Sequence, residues 1–298
     1  MAQTPQNVLI TGCSSGFGEV TARTLAAAGH HVFATMRDLA GRNAEAAERL
    51  RAWASEHGGR LDVVEMDVAA DGSVNAAVEA IMASGAQIDV VVNNAGIAAM
   101  GPIEAFDIEQ MQALYNVNVF GPLRVDKAVL PSMRARRSGL LIHVSSTLGR
   151  VLPGRGGLYP ASKWAVEGLA ESLAYEIKPF GVDLAILEPG AFPTTATARG
   201  LRAANADIAG EYAALAPPRL GSQPVSDDYV LPDLQDVADA IARLIDLPQG
   251  QRPLRTVVGP IFTEGIPEYN AEYERVRAHL REVLQRPDQA VTWVQTRR

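Results

Sequence analysis

Cysteine is almost missing: Cys13 is the only one in 298 residues, so no disulfide within the chain can hold the fold. Long apolar runs are missing too. The stretch Ile88 to Val92 is broken by Asp89 and falls far short of the roughly 20 residues that a membrane helix needs. Positive charge is in deficit, with 27 Lys and Arg against 34 Asp and Glu for a net −7. That balance repels polyphosphate backbones, so nucleic acid is not an expected partner. The basic run Arg134 to Arg137 reads instead as cations at a helix C-terminus. None of His30, His31, His57, His143 and His279 pairs with a second ligand at helical spacing, which sets aside a zinc hydrolase. Met1 to Asn7 lacks the basic and apolar regions of a secretory signal, and a reducing cytoplasm is the expected compartment.

What is present suffices for a large core: 47% hydrophobic against 20% charged residues, which excludes disordered and fibrous classes. Short β-branched runs alternate with helix-forming stretches. Strands are expected at Val8 to Thr11, His31 to Thr35, Leu61 to Met66, Ile88 to Asn93, Leu140 to Ser145, Val182 to Glu188 and Arg255 to Val258. Helices are expected at Phe17 to Ala28, Leu39 to Glu56, Ser73 to Ala83, Gly157 to Phe180 and Asp233 to Asp246, with Gly29 and Gly181 as stops. Asp107 to Arg137 reads as a helical crossover broken near Gly121-Pro122. The expectation is an α/β fold, a doubly wound parallel seven-stranded sheet of the Rossmann-like kind, in one domain over residues 1–298. Residues 193–232 lack strong periodicity and read as a lid over substrate. Residues 267–298 form a C-terminal helical extension and polar tail.

The first strand runs into Gly12-Cys13-Ser14-Ser15-Gly16-Phe17-Gly18 and then a helix. Glycines there let the backbone approach a pyrophosphate, which the helix N-terminus attracts. The same residues satisfy Gly-x-Ser-x-Gly, the nucleophile elbow of serine hydrolases, at Ser14. An elbow needs a late histidine, and the only candidate, His279, lies in the charged terminal helix. Tyr159 and Lys163, four residues apart near a helix start, share a face. An ammonium near a phenol favours the phenolate, which suits a tyrosine for acid–base work near neutral pH. Ser146, ending the preceding strand, stands to hydrogen-bond the same substrate oxygen. Cys13 reads as packing, Arg150 and Arg155 as loop cations flanking the substrate entrance, and Trp164, Leu169 and Leu173 as core or a subunit interface.

The glycine block, Asp67-Val68, Asn93-Asn94-Ala95-Gly96, Asn118, Ser145-Ser146, Tyr159-Pro160-Ala161-Ser162-Lys163 and Pro189-Gly190 keep one order and spacing from Asn7 to Thr194. Together they resemble the short-chain dehydrogenase/reductase family, above all its steroid- and retinol-active branch, which the run Val32 to Leu39 also resembles. The resemblance implies a catalytic tetrad of Asn118, Ser146, Tyr159 and Lys163, acting with NADP(H) on a ketone or aldehyde and the matching alcohol. Tyr159 would be the general acid or base, Ser146 would hold the substrate oxygen, and Lys163 would lower the tyrosine pKa and bind the nicotinamide ribose. Asn118 would position a water. Cofactor contacts would come from Gly12, Ser14, Ser15, Gly16, Phe17, Gly18, Arg37, Asp67, Val68, Asn94, Ala95, Gly96, Pro189, Gly190, Phe192 and Thr194. Arg37 follows the second strand where a 2′-phosphate is held, and Met36 stands where NAD-preferring relatives carry Asp. Phe192 departs from the family's usual Val or Ile. A homodimer or homotetramer is implied. A noncatalytic NADP(H)-binding sensor on the same fold is the alternative.

Overall fold

A computed structural model describes residues 4–152, 154, 156–194, 199–214 and 232–284. The chain alternates β1 (Asn7–Thr11), α1 (Gly16–Ala27), β2 (His31–Met36), α2 (Ala44–His57), β3 (Leu61–Glu65), α3 (Asp71–Ala83) and β4 (Val90–Asn93). A two-residue β5 (Ala99–Met100) follows, then α4 (Ile108–Tyr115), a π-helical turn Asn116–Phe120, α5 (Gly121–Arg136), β6 (Gly139–Val144), α6 (Leu158–Ile177) and β7 (Val182–Pro189). The rest is β8 (Leu201–Arg202), α7 (Ala206–Ala214), α8 (Gln235–Asp246), β9 (Arg255–Val258) and α9 (Ile266–Val283).

Seven parallel strands lie in the order β3-β2-β1-β4-β6-β7-β9. Successive side chains of a strand face opposite ways, and both faces of this sheet are covered. Val8 and Ile10 of β1, Val90 and Val92 of β4, and Leu140 and Ile142 of β6 face the layer of α1, α2 and α8. Leu9, Val91 and Leu141 face α3, α5 and α6. The inner strands β1, β4 and β6 are therefore nearly continuous apolar runs, as parallel strands buried on both faces are, while the edge strands β3 and β9 carry Asp62, Glu65 and Arg255. The order reverses between β1 and β4, which run on either side of the crevice where open α/β sheets take their ligands.

Two expected boundaries change. The second helix starts at Ala44 and not Leu39, because Asp38 has a φ of +55° and its carboxylate accepts the Arg42 N–H at 3.0 Å. That local bond holds Asp38 to Asn43 as a turn. The crossover is not broken at Gly121-Pro122: α4, a π-helical turn and α5 run on without interruption, and the widened turn just before Pro122 is the irregularity that accompanies the proline. Residues 193–232, expected without regular structure, contain β8, paired in parallel with β5, and α7. Gln110 fastens this part by donating to Arg202 O at 2.8 Å and accepting from Ala204 N at 3.0 Å. Residues 215–231, 285–298 and Arg155 lie outside the described residues, so Leu215, Leu220 and the polar tail receive no structural account.

Candidate active site

At the C-terminal ends of the strands lies a cleft of about 980 Å³. Its floor is the turn from β1 into α1. Gly12 has a φ of +75°, and a Cβ there would stand 2.8 Å from Ala95 Cα. Ser14 to Phe17, at the entry to α1, line the cleft, so the positive end of that helix faces whatever fills it. Gly18 lies behind the lining: a Cβ would collide with the Gly12 carbonyl oxygen and come 2.6 Å from Asn94 Nδ2. Its role is to let α1 close onto the floor, and not to touch a ligand.

Thr11, a residue that sequence reasoning passed over, ties β1 to β4. Its hydroxyl oxygen accepts from the N–H groups of Asn94 and Ala95, both at 3.0 Å. Asn94 Nδ2 donates to Thr11 O at 2.8 Å and Gly12 O at 3.2 Å. The Asn94 amide nitrogen is thus engaged inside the protein, and this clasp holds β1 and β4 together at the crevice. Only the strand order makes Thr11 and Asn94 neighbours, so no local signal could have linked them.

At one end the cleft is lined by Arg37, Arg42, Asn43, Asp67 and Val68. Asn43 Nδ2 donates to Arg37 O at 2.5 Å, which fixes the backbone under the Arg37 guanidinium. Asp38, turned into its own loop, does not line the cleft. Arg42 and Asn43 were not anticipated, because their positions depend on that turn.

At the other end Ser146, Tyr159 and Lys163 line the cleft together. Tyr159 and Lys163 sit one turn apart on α6, with Lys163 Nζ 5.8 Å from the centre of the Tyr159 ring. Lys163 is buried and donates to Val144 O at 2.8 Å. Ser146 lies at the end of β6, 3.4 Å from Pro189 O, and its Oγ accepts the Leu148 N–H at 3.2 Å. Burial pushes the Tyr159 phenol up to about 12, opposed by its hydrogen bond with Ser146. Burial pulls the Lys163 ammonium down to about 8, opposed by the charge of Glu167. The expected lowering of the phenol by Lys163 is not what this arrangement gives, because loss of solvent outweighs an ammonium engaged elsewhere.

Asn118 is buried in the π-helical turn and does not line the cleft. Its side chain accepts from Ile97 N and donates to Ile97 O, each at 2.9 Å, and meets Ser162 Oγ at 3.1 Å. Pro189, Gly190, Phe192 and Thr194 also line the cleft, with Pro189 O beside Ser146. Phe192 packs edge-on against Phe17 at 5.2 Å between ring centres, filling a space that a Cβ on Gly259 would invade. The family's usual Val or Ile would leave that space open.

Arg150 corrects the sequence reading: expected as a loop cation at the entrance, it is buried and donates to Asn270 Oδ1 at 2.8 Å, with Glu188 3.8 Å away. It is unavailable to a substrate. Ser14 lines the floor, while His279 is exposed on α9 and lines no part of the cleft, so the elbow has no base. Cys13 is buried with its thiol toward Ile10 O at 3.3 Å, and burial pushes that thiol far up, as packing predicts. Among the described residues no helix is long and apolar enough to cross a membrane.

A model of the family described as short chain dehydrogenase matches residues 6–205. The chain is 40% identical over 190 residues to 3-ketodihydrosphingosine reductase of Bacteroides thetaiotaomicron, covering 64% of this chain and 65% of that protein. It is 41% identical over 194 residues to retinol dehydrogenase 8 of Bos taurus, covering 64% of this chain and 60% of that protein. The match thus spans somewhat under two thirds of these relatives' length. A solved short-chain dehydrogenase from Streptomyces avermitilis is 30% identical, with a TM-score of 0.69 over 95% of this chain and 97% of its own.

Proposed function

The chain belongs to the short chain dehydrogenase family, and from that premise we propose that it is an NADP(H)-dependent oxidoreductase interconverting a bulky, largely apolar ketone or aldehyde with its alcohol. The observation that carries the proposal is the convergence of Ser146, Tyr159 and Lys163 on one end of a glycine-floored cleft whose other end carries Arg37.

The residues fit such a cofactor. Gly12 lets the turn close where a Cβ would strike Ala95, and the α1 N-terminus turns its positive end toward a pyrophosphate. Arg37, with Met36 beside it and Asp38 turned away, supplies a cation for a 2′-phosphate without a competing carboxylate. Asp67, Val68 and Asn94 to Gly96 would border the adenosine, and Pro189, Gly190, Phe192 and Thr194 the nicotinamide. When bound, the cofactor supplies or takes the hydride.

Ser146 and Tyr159 hydroxyls hold the substrate oxygen. In reduction Tyr159 gives its proton to the developing alkoxide, and in oxidation its phenolate takes it back. A phenol whose resting pKa is about 12 is a weak donor by itself, so the Lys163 ammonium is needed to stabilise the phenolate that forms. Asn118, whose side chain is taken up by Ile97 and Ser162, has only its main chain left for the water beside Lys163 that the family resemblance assigns to it. Of the segment read as a lid, the described residues 199–214 stand nearest the substrate end, where Arg199 lines the cleft and Leu201 packs with Phe106 and Leu158. We place the protein in the cytoplasm as a homodimer or homotetramer.

The test is NADPH oxidation by the purified protein over a panel of carbonyl compounds ranging from small polar to steroid-like, retinoid-like and aryl. Turnover of the bulky members, with NADPH preferred to NADH, is expected. Tight NADPH binding without turnover on any member would mean a noncatalytic sensor.

A further inference from the structure

Beneath the reacting groups, on the side away from the cleft, lies a buried cluster of charge that the proposed chemistry does not use. Lys163, Glu167 and Glu171 follow one another at four-residue spacing on α6, so their side chains share one face. Arg255 of β9 binds Glu167 Oε2 at 2.8 Å, Glu171 Oε2 at 2.5 Å and Glu188 Oε1 at 3.3 Å. Helix α9 roofs the cluster. Asn270 donates to Glu188 Oε2 at 2.6 Å, Tyr273 lies over the Arg255 guanidinium at 5.4 Å, and Arg277 reaches Glu171 Oε1 at 2.5 Å. Glu167 is held from above as well: a Cβ on Gly149, in the turn after Ser146, would stand 3.0 Å from its Cγ.

Resting on the functional reading above, we propose that Glu167, anchored by Arg255 under the roof of α9, is a positioning residue for Lys163 that keeps the buried ammonium charged while Tyr159 gives up its proton. Lys163 donates to the main-chain Val144 carbonyl, a bond stronger from an ammonium than from a neutral amine, but one carbonyl does not replace the water that burial removes. A nearby negative charge favours the charged form further. Glu167, one turn along the same helix, opposes the effect of burial on Lys163. Around this pair stand Tyr159 and Glu171 of α6, Glu188 of β7, Arg255 of β9, Arg150 after the Ser146 turn, and Tyr273 and Arg277 of α9. Arg255 divides its close contacts between the Glu167 and Glu171 carboxylates, with Glu188 at 3.3 Å, so it fixes Glu167 in place without being its partner alone.

The chain makes the test clean, because Lys127, Lys163 and Lys178 are its only lysines. Protein labelled with 13C at lysine Cε gives three resonances, and loss of one in Lys163→Arg assigns the relevant one. In the cofactor-free wild type the Lys163 resonance is expected to titrate near pH 8. In Glu167→Gln its midpoint should fall by about one pH unit or more, in Glu167→Asp it should stay near the wild type, and in Glu171→Gln it should not move. The alkaline limb of carbonyl reduction should shift in step with the resonance. Should Glu167→Gln fail to fold, Glu167→Met removes the same charge with similar volume. A Lys163 midpoint unchanged by loss of the Glu167 charge overturns the inference, as does an equal shift in Glu171→Gln. The resonance is read without cofactor or substrate, so a protein that reduced no carbonyl would defeat the functional reading and leave this result standing.

Discussion

Lys163 Nζ stands 5.8 Å from the centre of the Tyr159 ring and donates to the main chain of Val144 at 2.8 Å. The ammonium is therefore near the phenol but not bonded to it, so removing either side chain has a separable effect. Tyr159→Phe keeps the ring and loses the proton donor, and turnover should fall by roughly 10²-fold or more. NADPH affinity, read by fluorescence titration, should change little. Lys163→Met should weaken both turnover and NADPH binding, because one side chain is assigned both jobs.

The proton bookkeeping fixes a pH dependence. Reduction needs Tyr159 protonated, which a phenol near 12 ensures across the working range, and Lys163 charged, which fails as pH rises through about 8. The rate of carbonyl reduction should therefore decline above pH 8. A profile flat to pH 10 would show that the charge of Lys163 is not used.

Arg37→Ala should weaken NADPH by roughly tenfold to a hundredfold, the range for one charge-assisted hydrogen bond, and NADH by much less. The contrast follows from Asp38, whose carboxylate caps Arg42 N at 3.0 Å and not a ribose. Equal losses for the two cofactors in steady-state kinetics would remove Arg37 from the 2′-phosphate site.

Gly18→Ala places a methyl against the Gly12 carbonyl and 2.6 Å from Asn94 Nδ2. Overpacking of this kind costs roughly 1–3 kcal/mol, so the variant should melt several degrees lower. NADP(H) affinity should fall with it, because the floor and the Thr11–Asn94 clasp shift together.

Glu188, with no exposed surface, has its carboxyl pushed up to about 8 by burial and by the charge of Glu167, against Arg255, Asn270 and Arg150. A folded-state value above the ordinary one means that the stability it contributes is complete in acid and is lost as pH rises toward 8. The Tm of wild type should therefore fall relative to that of Glu188→Gln between pH 5 and 8, by roughly 5 °C on the scale of a chain this size. Parallel Tm curves would contradict the protonated Glu188.

In the segment 193–232, Tyr212 donates to Glu104 Oε2 at 2.7 Å and Asn205 N donates to Ala105 O at 3.0 Å. Amide exchange over residues 201–212 should slow when NADP(H) and substrate bind together, as for a segment that closes over a filled site. Alanine at Leu201 and Tyr212 should alter the preference among carbonyl substrates. Unchanged exchange and preference would make this segment a permanent surface addition.

All seven sheet strands were legible because their β-branched runs are short, apolar and separated by helical periods. Ends were less so. The second helix lost five residues at its start to a side-chain bond of Asp38, an interaction that helical periodicity does not register. β5 and β8 escaped because two-residue strands carry no alternation and pair only through the tertiary fold. The glycine floor and the shared face of Tyr159 and Lys163 were legible through spacing, since helix and turn geometry convert sequence separation into shared faces; Asn118 came from the family resemblance alone, and it does not line the cleft. The Thr11 clasp, Arg42, and the burial of Arg150 against Asn270, 120 residues away, were not, because each is a contact between elements remote in the chain.

The central claim is transfer of hydride between NADP(H) and a carbonyl carbon at the Tyr159 end of the cleft. Its most direct measurement uses NADPH deuterated at C4 of the nicotinamide with a bulky aryl ketone, followed by mass spectrometry of the alcohol. The account predicts deuterium on the carbinol carbon for label on one face of the nicotinamide, and almost no labelled product from Tyr159→Phe. Alcohol formed without deuterium from either labelled face, or formed equally well by Tyr159→Phe, would contradict it.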